Sequence, residues 1–523
     1  MFDVLIKNGK IFDGTGAEAK ITDIAIKNGK IFSLGDFKNE RAKTEINAEN
    51  KFVSPGFIDL NNNADHYLNI FDLPEAENLI RQGITTIVCG NCGASLAPLI
   101  SGSLEVIQQW AKVTKININW RRLKDFLKTL EEKKLGVNFA TLIGWGTLRN
   151  DFTKGEFRNL QKEEFEKLKF IISQSMEEGA FGVSFGLGYP FEQATGLKET
   201  QEIAKIVKRK NGFLAFHLRN EAEGFLASAR EAIEVAARED VSIEISHFRV
   251  EGEPNFNSFP EGIKMVEKAN KEKELVNFDI FPYDSNAHSL YSILPDWAAI
   301  GGREVLLKNI NDRAVRNKLI EELKRKKYLY KELVIADCGE KWWFSGKTLE
   351  EIAKNFNLAL EETILEIVKL CEERIIVFNK TLSAENIEKG ITSPYSFIVT
   401  NSSFYNIESG EKGIFVHPRA FGSFPRYLGH YIREKKIFPW EKAINKITGK
   451  VAEKLALKDR GLIKENYWAD VVIFNAEKIN DKSSLKNPFQ YPEGIETVLI
   501  NGNLAYHRGV LTRQRWGKVL PNI

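Results

Sequence analysis

The sequence predicts an α/β protein in which a (β/α)8 barrel of the TIM type carries a small β-sandwich built from both ends of the chain. Three observations lead to this prediction. Short apolar runs alternate with longer helical patterns from about residue 55 to about residue 440. A short motif around Asn-Gly occurs twice near the start of the chain and once near its end. The 523 residues also exceed one ordinary domain and suit a large body with an accessory unit.

The Asn-Gly motifs predict β-hairpins at both ends of the chain. The segment Ile6–Phe12 (IKNGKIF) is repeated as Ile26–Phe32, and Val498–Tyr506 resembles both. Asn and Gly tolerate positive φ, so that Asn-Gly suits the tight turn between two antiparallel strands. Trp468–Phe474 (WADVVIF) predicts a further strand.

Hairpins this short need a partner surface. A two-stranded hairpin cannot bury one of its faces alone, and neither end of the chain has enough apolar residues for a core. We therefore expect residues 1–54 and 460–523 to form one β-sandwich. Residues 55–459 then form an inserted barrel domain.

Eight apolar runs in the central region predict the barrel strands. They are Gly56–Asp59, Thr85–Val88, Asn138–Ile143, Gly182–Phe185, Phe213–His217, Ser242–His247, Val276–Tyr283 and Phe397–Thr400. Helical patterns such as Glu163–Glu178 and Glu199–Lys210 lie between most of them. The stretch between the last two strands is too long for one helix, which predicts an inserted subdomain at about 284–345 over the barrel mouth. A doubly wound sheet is the alternative, but no glycine-rich dinucleotide turn follows the first strand.

The composition argues against several classes of function. The chain has 74 Lys and Arg against 71 Asp and Glu, a formal charge of +3, which is too even to indicate nucleic-acid binding. No apolar run approaches the ~18 residues of a membrane helix, and the N-terminal MFDVLIKNGK has no signal-peptide pattern. Four cysteines are too few for a disulfide framework, so the sequence predicts a cytoplasmic protein.

Three side chains at the predicted strand ends are good zinc ligands. Barrel enzymes carry their chemistry at the carboxyl ends of the strands. Cys92 follows strand two, His217 ends strand five, and His247 ends strand six. A thiolate and two imidazoles form a tetrahedral zinc set that leaves one position for water or substrate. The sequence therefore predicts a zinc site at these three residues.

Cys89 and Cys92 also form a C-x-x-C pair, which allows a different interpretation. Such a pair is typical of redox proteins and zinc knuckles. Cys338 and Cys371 stand alone in the sequence, so there is no second pair, and no thioredoxin-like unit surrounds the first. We therefore expect Cys89 to point into the core, and we rank a redox function last.

Several segments along nearly the whole chain carry a family resemblance. They are PGFID at 55–59, RQGITTI at 81–87, GNCGASLAP at 90–98, IGWGTLR at 143–149, FHLRNE at 216–221, ISHFR at 245–249, HPRAFGSFPRYLG at 417–429, AEKLALKDRGLI at 452–463 and ADVVIF at 469–474. With them the chain resembles the N-acyl-D-amino-acid deacylase (D-aminoacylase) type of the amidohydrolase superfamily. GNCG followed by SLAP is specific to this group, whereas PGFID and ADVVIF occur across the superfamily. The resemblance implies a metal-bearing (β/α)8 barrel with a small β-sandwich.

The resemblance also implies roles for individual residues. The tightly held zinc of this group takes a cysteine after strand two and the histidines of strands five and six, which correspond to Cys92, His217 and His247. Basic and tyrosine residues near the mouth bind the substrate carboxylate and amide. The matching positions are Arg219, Arg249, Tyr283 and Arg419, with Tyr189 in GLGYP as a further candidate. For each arginine, a structural ion pair is the alternative interpretation.

The sequence departs from the group's pattern at the second metal position and at the general base. Asn61 and Asn63 replace the His-x-His after strand one, and an amide is a poor zinc ligand beside imidazole, so we expect one zinc ion. Asn401 replaces the aspartate after strand eight that takes a proton from the attacking water. Asparagine cannot accept that proton, and loss of a general base costs roughly 10²–10⁴ in rate. Trp145 also replaces a histidine in a GHG-like turn.

Asp65 and His66 are candidates for a substitute base. Asp65 matches an acidic residue just beyond His-x-His in the related group, so it is not new in this chain. Imidazole suits proton transfer near neutral pH, which makes His66 the more interesting candidate. The alternative for His66 is a histidine in a surface loop.

The sequence thus favours a metal-dependent amidohydrolase that hydrolyses a linear, non-peptide C–N bond. The simplest substrate is a small N-acyl amino acid, and no nucleic acid or membrane is expected as a partner. The second hypothesis is a catalytically impaired or inactive binding protein on the same scaffold, which the asparagine substitutions favour. The three intact ligand positions favour catalysis, because a binding protein need not keep them.

Overall fold

The structure, a computed structural model, describes residues 1–111, 113, 116–273, 275–299, 303–371, 375–412 and 415–522. Its strands are β1 Phe2–Ile11, β2 Lys20–Lys27, β3 Lys30–Gly35, β4 Ala42–Asn47, β5 Phe52–Pro55, β6 Phe57–Asp59, β7 Ile84–Cys89, β8 Asn138–Thr141, β9 Ile143–Gly144, β10 Gly182–Gly186, β11 Phe213–His217, β12 Ser242–Ile245, β13 Val276–Ile280, β14 Asn286–Ser289, β15 Val334–Asp337, β16 Ile376–Asn379, β17 Ser396–Ile398, β18 Val471–Phe474, β19 Ile495–Ile500, β20 Asn503–His507 and β21 Val510–Leu511.

The α-helices mostly alternate with the central strands. They are α1 Asn69–Asp72, α2 Glu77–Ile80, α3 Leu123–Lys133, α4 Trp145–Thr153, α5 Lys162–Glu177, α6 Leu197–Arg209, α7 Phe225–Glu239, α8 Ser258–Ala269, α9 Asp296–Ala299, α10 Arg303–Asn311, α11 Arg313–Arg325, α12 Leu349–Phe356, α13 Leu360–Leu370, α14 Ala384–Thr392, α15 Arg419–Arg426, α16 Trp440–Ile447 and α17 Gly449–Lys454. Among the described residues, no helix is long and apolar enough to cross a membrane.

Strands from both ends of the chain form one nine-stranded sheet. Its order is β21-β20-β19-β18-β5-β1-β2-β3, and β4 also pairs with β1. The two ends meet where β5 pairs with β18 in antiparallel register. Side chains from both ends then share one core, which includes Ile6, Ile24, Val53, Val471 and Leu499. This confirms the predicted β-sandwich built from both termini, while its boundaries at residues 54 and 460 stay predictions.

Asn-Gly forms a hairpin turn in two of its three copies. Asn28-Gly29 connects β2 to β3, and Asn501-Gly502 connects β19 to β20, with positive φ at all four residues. Asn8-Gly9 instead lies inside β1, where Asn8 has φ 62° and the pairing with β2 shifts register. The hairpin predicted there is wrong, because the chain forms a β-bulge and continues to pair with β2 and β5.

Eight parallel strands form the barrel and confirm the predicted fold class. Around the barrel they are β6, β7, β8 with its continuation β9, β10, β11, β12, β13 and β17. A parallel bridge between Asn62 and Ser402 joins the end of the first strand to the end of the last. The carboxyl ends of all eight strands therefore meet at one mouth.

A separate subdomain lies between β13 and β17. β14, β16 and β15 form an antiparallel three-stranded sheet, and a hydrophobic core of its own extends from Leu290 to Val377. The predicted range 284–345 ends too early, because β16 completes this sheet only after α12 and α13. Residues 300–302 of the predicted range lie outside the described residues. The subdomain contacts a loop at the barrel mouth, where Gly252 N donates to Thr381 O at 2.9 Å.

Cys338 and Cys371 form a disulfide within this subdomain. They form no second C-x-x-C pair, as expected, but their pairing with each other was not predicted from the sequence. They are 33 positions apart, yet their Cα atoms lie 5.8 Å from each other. The end of β15 and the end of α13 pack together, and spacing along the chain does not reveal that contact. Cys89 and Cys92 are free and buried.

Candidate metal and substrate site

Cys92, His217 and His247 come together at the barrel mouth. The ligand atoms of the three side chains all lie within 4.8 Å of one another. The Cys92 Sγ is 3.5 Å from His247 Nε2, and the two imidazole rings are 4.5 Å apart between centroids. Each residue follows or ends a different strand, so the barrel brings together positions that are up to 155 residues apart. We call these three side chains the Cys/His cluster.

The backbone at this cluster is unusual. Cys92 has φ 52° and His247 has φ 39°, in the left-handed region that residues other than glycine rarely adopt. The position directly after Cys92 is also crowded, because a Cβ on Gly93 would overlap the buried Glu192 carboxylate. Burial raises the pKa of Glu192 to about 8. Backbone strain of this kind is found where the surrounding structure must hold a side chain in one direction.

Glu221 orients one member of the cluster. Its Oε1 lies 2.8 Å from His247 Nδ1, and its Oε2 accepts a hydrogen bond of 2.7 Å from Arg249 Nη2. A carboxylate at Nδ1 fixes the proton there and leaves the Nε2 lone pair directed at a metal position. The sequence analysis did not assign Glu221 a role, although the residue closes the FHLRNE motif four positions after His217.

The donor set fits a zinc ion. Burial lowers the pKa of His217 to about 3 and that of His247 well below its ordinary range, so both rings are neutral as metal binding requires. His217 Nδ1 is buried and has no hydrogen-bond partner among the described residues, which leaves a ring nitrogen open to a ligand from outside the chain. Burial raises the pKa of the Cys92 thiol, with Asp279 and Glu221 adding to the effect, and a bound cation would reverse that shift.

The side chains of Asn61, Asn63 and Asn401 form a second group, which we call the amide cluster. Asn63 Nδ2 donates to Asn401 Oδ1 at 2.8 Å, and Asn401 N donates to Asn61 O at 2.9 Å. Asn61 Nδ2 donates at 2.9 Å to Asp279, whose other carboxylate oxygen accepts from His247 N at 2.7 Å. The amide cluster is therefore joined to the Cys/His cluster through one buried carboxylate. The sequence analysis also missed Asp279, a charged residue inside an apolar strand.

Asp65 and His66 are both buried, so His66 is not in a surface loop. The two Asp65 carboxylate oxygens accept from Gly90 N and His66 N at 2.8 and 2.9 Å. His66 Nε2 lies 3.0 Å from Ala94 O, and the ring stacks on Trp110 at 4.6 Å. A carbonyl only accepts, so the proton of a neutral His66 lies on Nε2.

Two buried arginines have unused hydrogen-bond donors. Arg249 is 6% exposed and Arg419 is 5% exposed. Arg249 Nη1 and the Nε and Nη1 of Arg419 have no partner among the described residues. Both guanidinium groups lie over the ring of Phe281, at 5.8 and 4.7 Å from its centroid. Burial lowers the pKa of Arg419 to about 10, and Arg249 contributes to that shift.

The remaining substrate candidates are placed differently. Arg219 pairs with Glu231 at 2.8 Å and donates to Gln193 O and Thr195 O at 2.9 Å, so its guanidinium holds a loop. The Tyr283 hydroxyl donates to Asp481 at 3.0 Å. The Tyr189 ring lies 4.6 Å from the His217 ring and borders the Cys/His cluster directly. The Trp145 indole is buried and donates to Thr195 Oγ1 at 3.0 Å.

The chain resembles known deacylases along its whole length. It is 27% identical over 533 residues to a D-aminoacylase from Alcaligenes xylosoxydans xylosoxydans, and the match covers 99% of this chain and 97% of the relative. No family model matches the chain.

Two D-aminoacylase structures share the fold. Each is 26% identical, has a TM-score of 0.84 and covers 100% of both chains. One is described as defining a novel subset of amidohydrolases, and the other as having a binuclear metal centre with one-metal activation and second-metal attenuation. The present chain is therefore similar along nearly its whole length to D-aminoacylases, one of which is described as defining a novel subset of amidohydrolases.

Proposed function

We propose that this protein is a zinc-dependent amidohydrolase that hydrolyses the amide bond of a small N-acyl amino acid. The convergence of Cys92, His217 and His247 carries the proposal, since these three side chains would hold one zinc ion with an open fourth position. When bound, zinc polarises an amide carbonyl and lowers the pKa of water to about 7. The full-length likeness to a D-aminoacylase supports the substrate class.

Arg249 and Arg419 are the proposed site for the substrate carboxylate. Their three unpartnered donors are buried, and leaving such donors unpaired costs free energy that an anionic ligand recovers. Arg249 also shares Glu221 with His247, which places one end of this arginine pair beside the Cys/His cluster. Tyr189 forms a wall next to His217, and Arg219 and Tyr283 act through the loops that they hold.

Proton removal is the step for which this chain lacks the usual group. Asn401 Oδ1 accepts from Asn63 and cannot take a proton from water. Asp65 is buried, and each of its carboxylate oxygens accepts a hydrogen bond from a backbone N–H group. His66 is the remaining candidate and would use Nδ1, because Nε2 donates to Ala94 O. Ring contacts run from His66 to Trp110, from Trp110 to Tyr189 and from Tyr189 to His217, so a proton would have to be relayed between the metal position and His66.

A ligand-binding protein without turnover is the second candidate function. Asn401 is the observation that favours it, since an amide in place of a general base removes roughly 10²–10⁴ of the rate. The arginine pair and the Cys/His cluster serve binding and catalysis equally well. Activity measurements therefore decide between the two.

The test measures zinc content and hydrolysis in the same tag-free preparation. Metal analysis by mass spectrometry is expected to give about one zinc per chain. Release of free amino acid is followed with a panel of N-acetyl-D-amino acids and their L-enantiomers. Cys92→Ala is expected to lose the zinc and the activity, whereas the matched control Cys89→Ala keeps both, because Cys89 is outside the cluster.

Each outcome has a defined meaning. One zinc with turnover supports the amidohydrolase. One zinc without turnover supports the ligand-binding protein. If wild-type protein that was purified and refolded in the presence of zinc contains no zinc, the proposed Cys/His site is contradicted. Both functions that depend on this site are then contradicted as well.

A further inference from the structure

The amide cluster has neutral hydrogen-bonding groups and two oxygen acceptors without a partner in the described part of the chain. Asn61 Oδ1 and Asn63 Oδ1 are buried and have no hydrogen-bond partner among the described residues. The amide nitrogens of the same side chains are already used, by Asp279 and by Asn401. This fixes the orientation of both amides, because a carboxylate oxygen and an amide oxygen must face an N–H donor.

A second divalent ion does not fit these donors. Zinc binds thiolate, imidazole and carboxylate, and the amide cluster contains none of the three. A hard ion such as calcium accepts amide oxygens but usually needs carboxylates to balance its charge. Two neutral oxygens do not balance a buried double charge, and the nearby Asp279 carboxylate is held by hydrogen bonds from Asn61 Nδ2 and His247 N.

A neutral hydrogen-bond donor fits them well. A buried carbonyl oxygen without a partner costs free energy, and a water molecule satisfies it with one of its protons. We propose that Asn61, Asn63 and Asn401 hold water in place of a second ion, so that this chain binds one divalent ion even when metal is in excess. The inference rests on the proposed zinc site, and it separates this chain from a relative described as having second-metal attenuation.

The first measurement is metal stoichiometry, which needs no substrate. Metal-free protein is dialysed against rising zinc, and separately against cadmium for ¹¹³Cd NMR. Wild type is expected to stop at one ion per chain with a single cadmium resonance from the site that contains Cys92. Cys92→Ala is expected to bind none. A wild-type plateau of two ions, with a second resonance, overturns the inference.

The second measurement restores the missing donors. The triple variant Asn61→His, Asn63→His and Asn401→Asp is expected to bind two ions and to show a second cadmium resonance. If the triple variant does not fold, Asn401→Asp alone supplies the test, because it changes one atom and adds the missing charge. It is expected to bind a second cadmium ion at least tenfold more tightly than wild type. An unchanged affinity in a folded Asn401→Asp protein overturns the inference.

The two proposals fail in different ways. Absence of any bound ion in wild type contradicts the proposed function. Two bound ions in wild type contradict the proposal that the amide cluster excludes a second metal ion. Excess zinc added to an active preparation gives a third readout, in which activity is expected to stay level in wild type and to fall in the triple variant. If wild-type activity falls as a second ion binds, the proposal that this chain binds only one metal ion is contradicted.

Discussion

The two halves of the candidate site have similar positions at the barrel mouth but offer a metal ion very different donors. The Cys/His cluster supplies a thiol and two neutral imidazoles, and Glu221 orients one of the rings. In the amide cluster, Asn61 Nδ2 donates to Asp279 and Asn63 Nδ2 donates to Asn401, which leaves the Asn61 and Asn63 oxygens without a partner among the residues that the structure describes. The comparison shows that strand ends fix where side chains meet, whereas the residue types decide what they bind.

The largest expected effect comes from changing the base position in the amide cluster. Asn401→Asp at one equivalent of zinc is expected to raise the rate of amide hydrolysis by roughly 10²–10⁴, because it supplies a proton acceptor. The measurement is kcat for N-acyl amino acids. Asn401→Ala is the control and brings no increase. A folded, zinc-loaded Asn401→Asp protein with an unchanged rate shows that another group already acts as the base.

The next effect concerns the Cys/His cluster. Glu221→Ala is expected to weaken zinc binding about 10–100-fold, because His247 loses the carboxylate that fixes its Nδ1 proton. Competition with a chromophoric chelator measures the affinity. Glu231→Ala is the matched control, since that carboxylate pairs with Arg219 instead. Equal zinc affinity in both variants contradicts the orienting role of Glu221.

The arginines extend the comparison from metal to substrate. Arg419→Met is expected to raise KM roughly tenfold or more, because a charge-assisted hydrogen bond to the substrate carboxylate is lost. Arg219→Met is the comparison variant, and we expect a smaller change in KM because its guanidinium is held by Glu231 and two carbonyl groups. Steady-state kinetics of both variants on the same substrate gives the two KM values to be compared. A larger increase in KM for Arg219→Met than for Arg419→Met contradicts the assignment of Arg419 to the substrate carboxylate.

The smallest effect is a pH dependence of the metal-free protein. Burial lowers the pKa of His217 to about 3 in the folded state. Between about pH 6.5 and pH 3, His217 is therefore protonated in the unfolded chain and neutral in the folded chain. The free energy of unfolding is therefore not reduced by His217 above about pH 6.5, and it decreases as the pH falls below that value. His217→Gln should therefore narrow the difference between melting temperatures at pH 7.5 and pH 5, by roughly 1 °C for each 1 kcal/mol, because the unfolding entropy grows with the 523 residues of the chain.

His430→Gln is the control for that pH experiment. His430 is partly exposed beside Glu434 at 3.3 Å, and its replacement is expected to change the pH difference less than His217→Gln does. Thermal unfolding followed by circular dichroism gives the melting temperatures. An identical pH difference in wild type and His217→Gln shows that other buried groups dominate the acid response.

Patterns along the chain predicted the barrel and the convergence of three strand-end side chains, because the strand ends follow from periodicity. Alternation of strand and helix predicts a parallel barrel, and a residue at a strand end then falls at the mouth. Cys92, His217 and His247 needed no further information to be grouped. Asn8-Gly9 shows the limit of such patterns, since the same dipeptide forms a turn at Asn28 and a bulge at Asn8, depending on which strands lie beside it.

Long-range partners were not predictable from the chain alone. Glu221 and Arg219 stand two residues apart in one motif, yet one orients His247 and the other pairs with Glu231. The pairing of Cys338 with Cys371 and the late closing strand β16 also depend on packing within the subdomain. Side-chain direction after a strand end is set by local backbone angles and neighbours, which spacing does not encode.

The sequence by itself determined the chemistry of this protein: which strand ends carry a thiol or an imidazole, and that Asn61, Asn63 and Asn401 carry amides. Residue type is a property of each position and needs no fold. Only the tertiary structure decided how those groups are used, because hydrogen bonds and burial join residues far apart in the chain. It left Asn61 Oδ1 and Asn63 Oδ1 unpartnered, buried Arg249 and Arg419 with open donors, and placed Glu221 against His247.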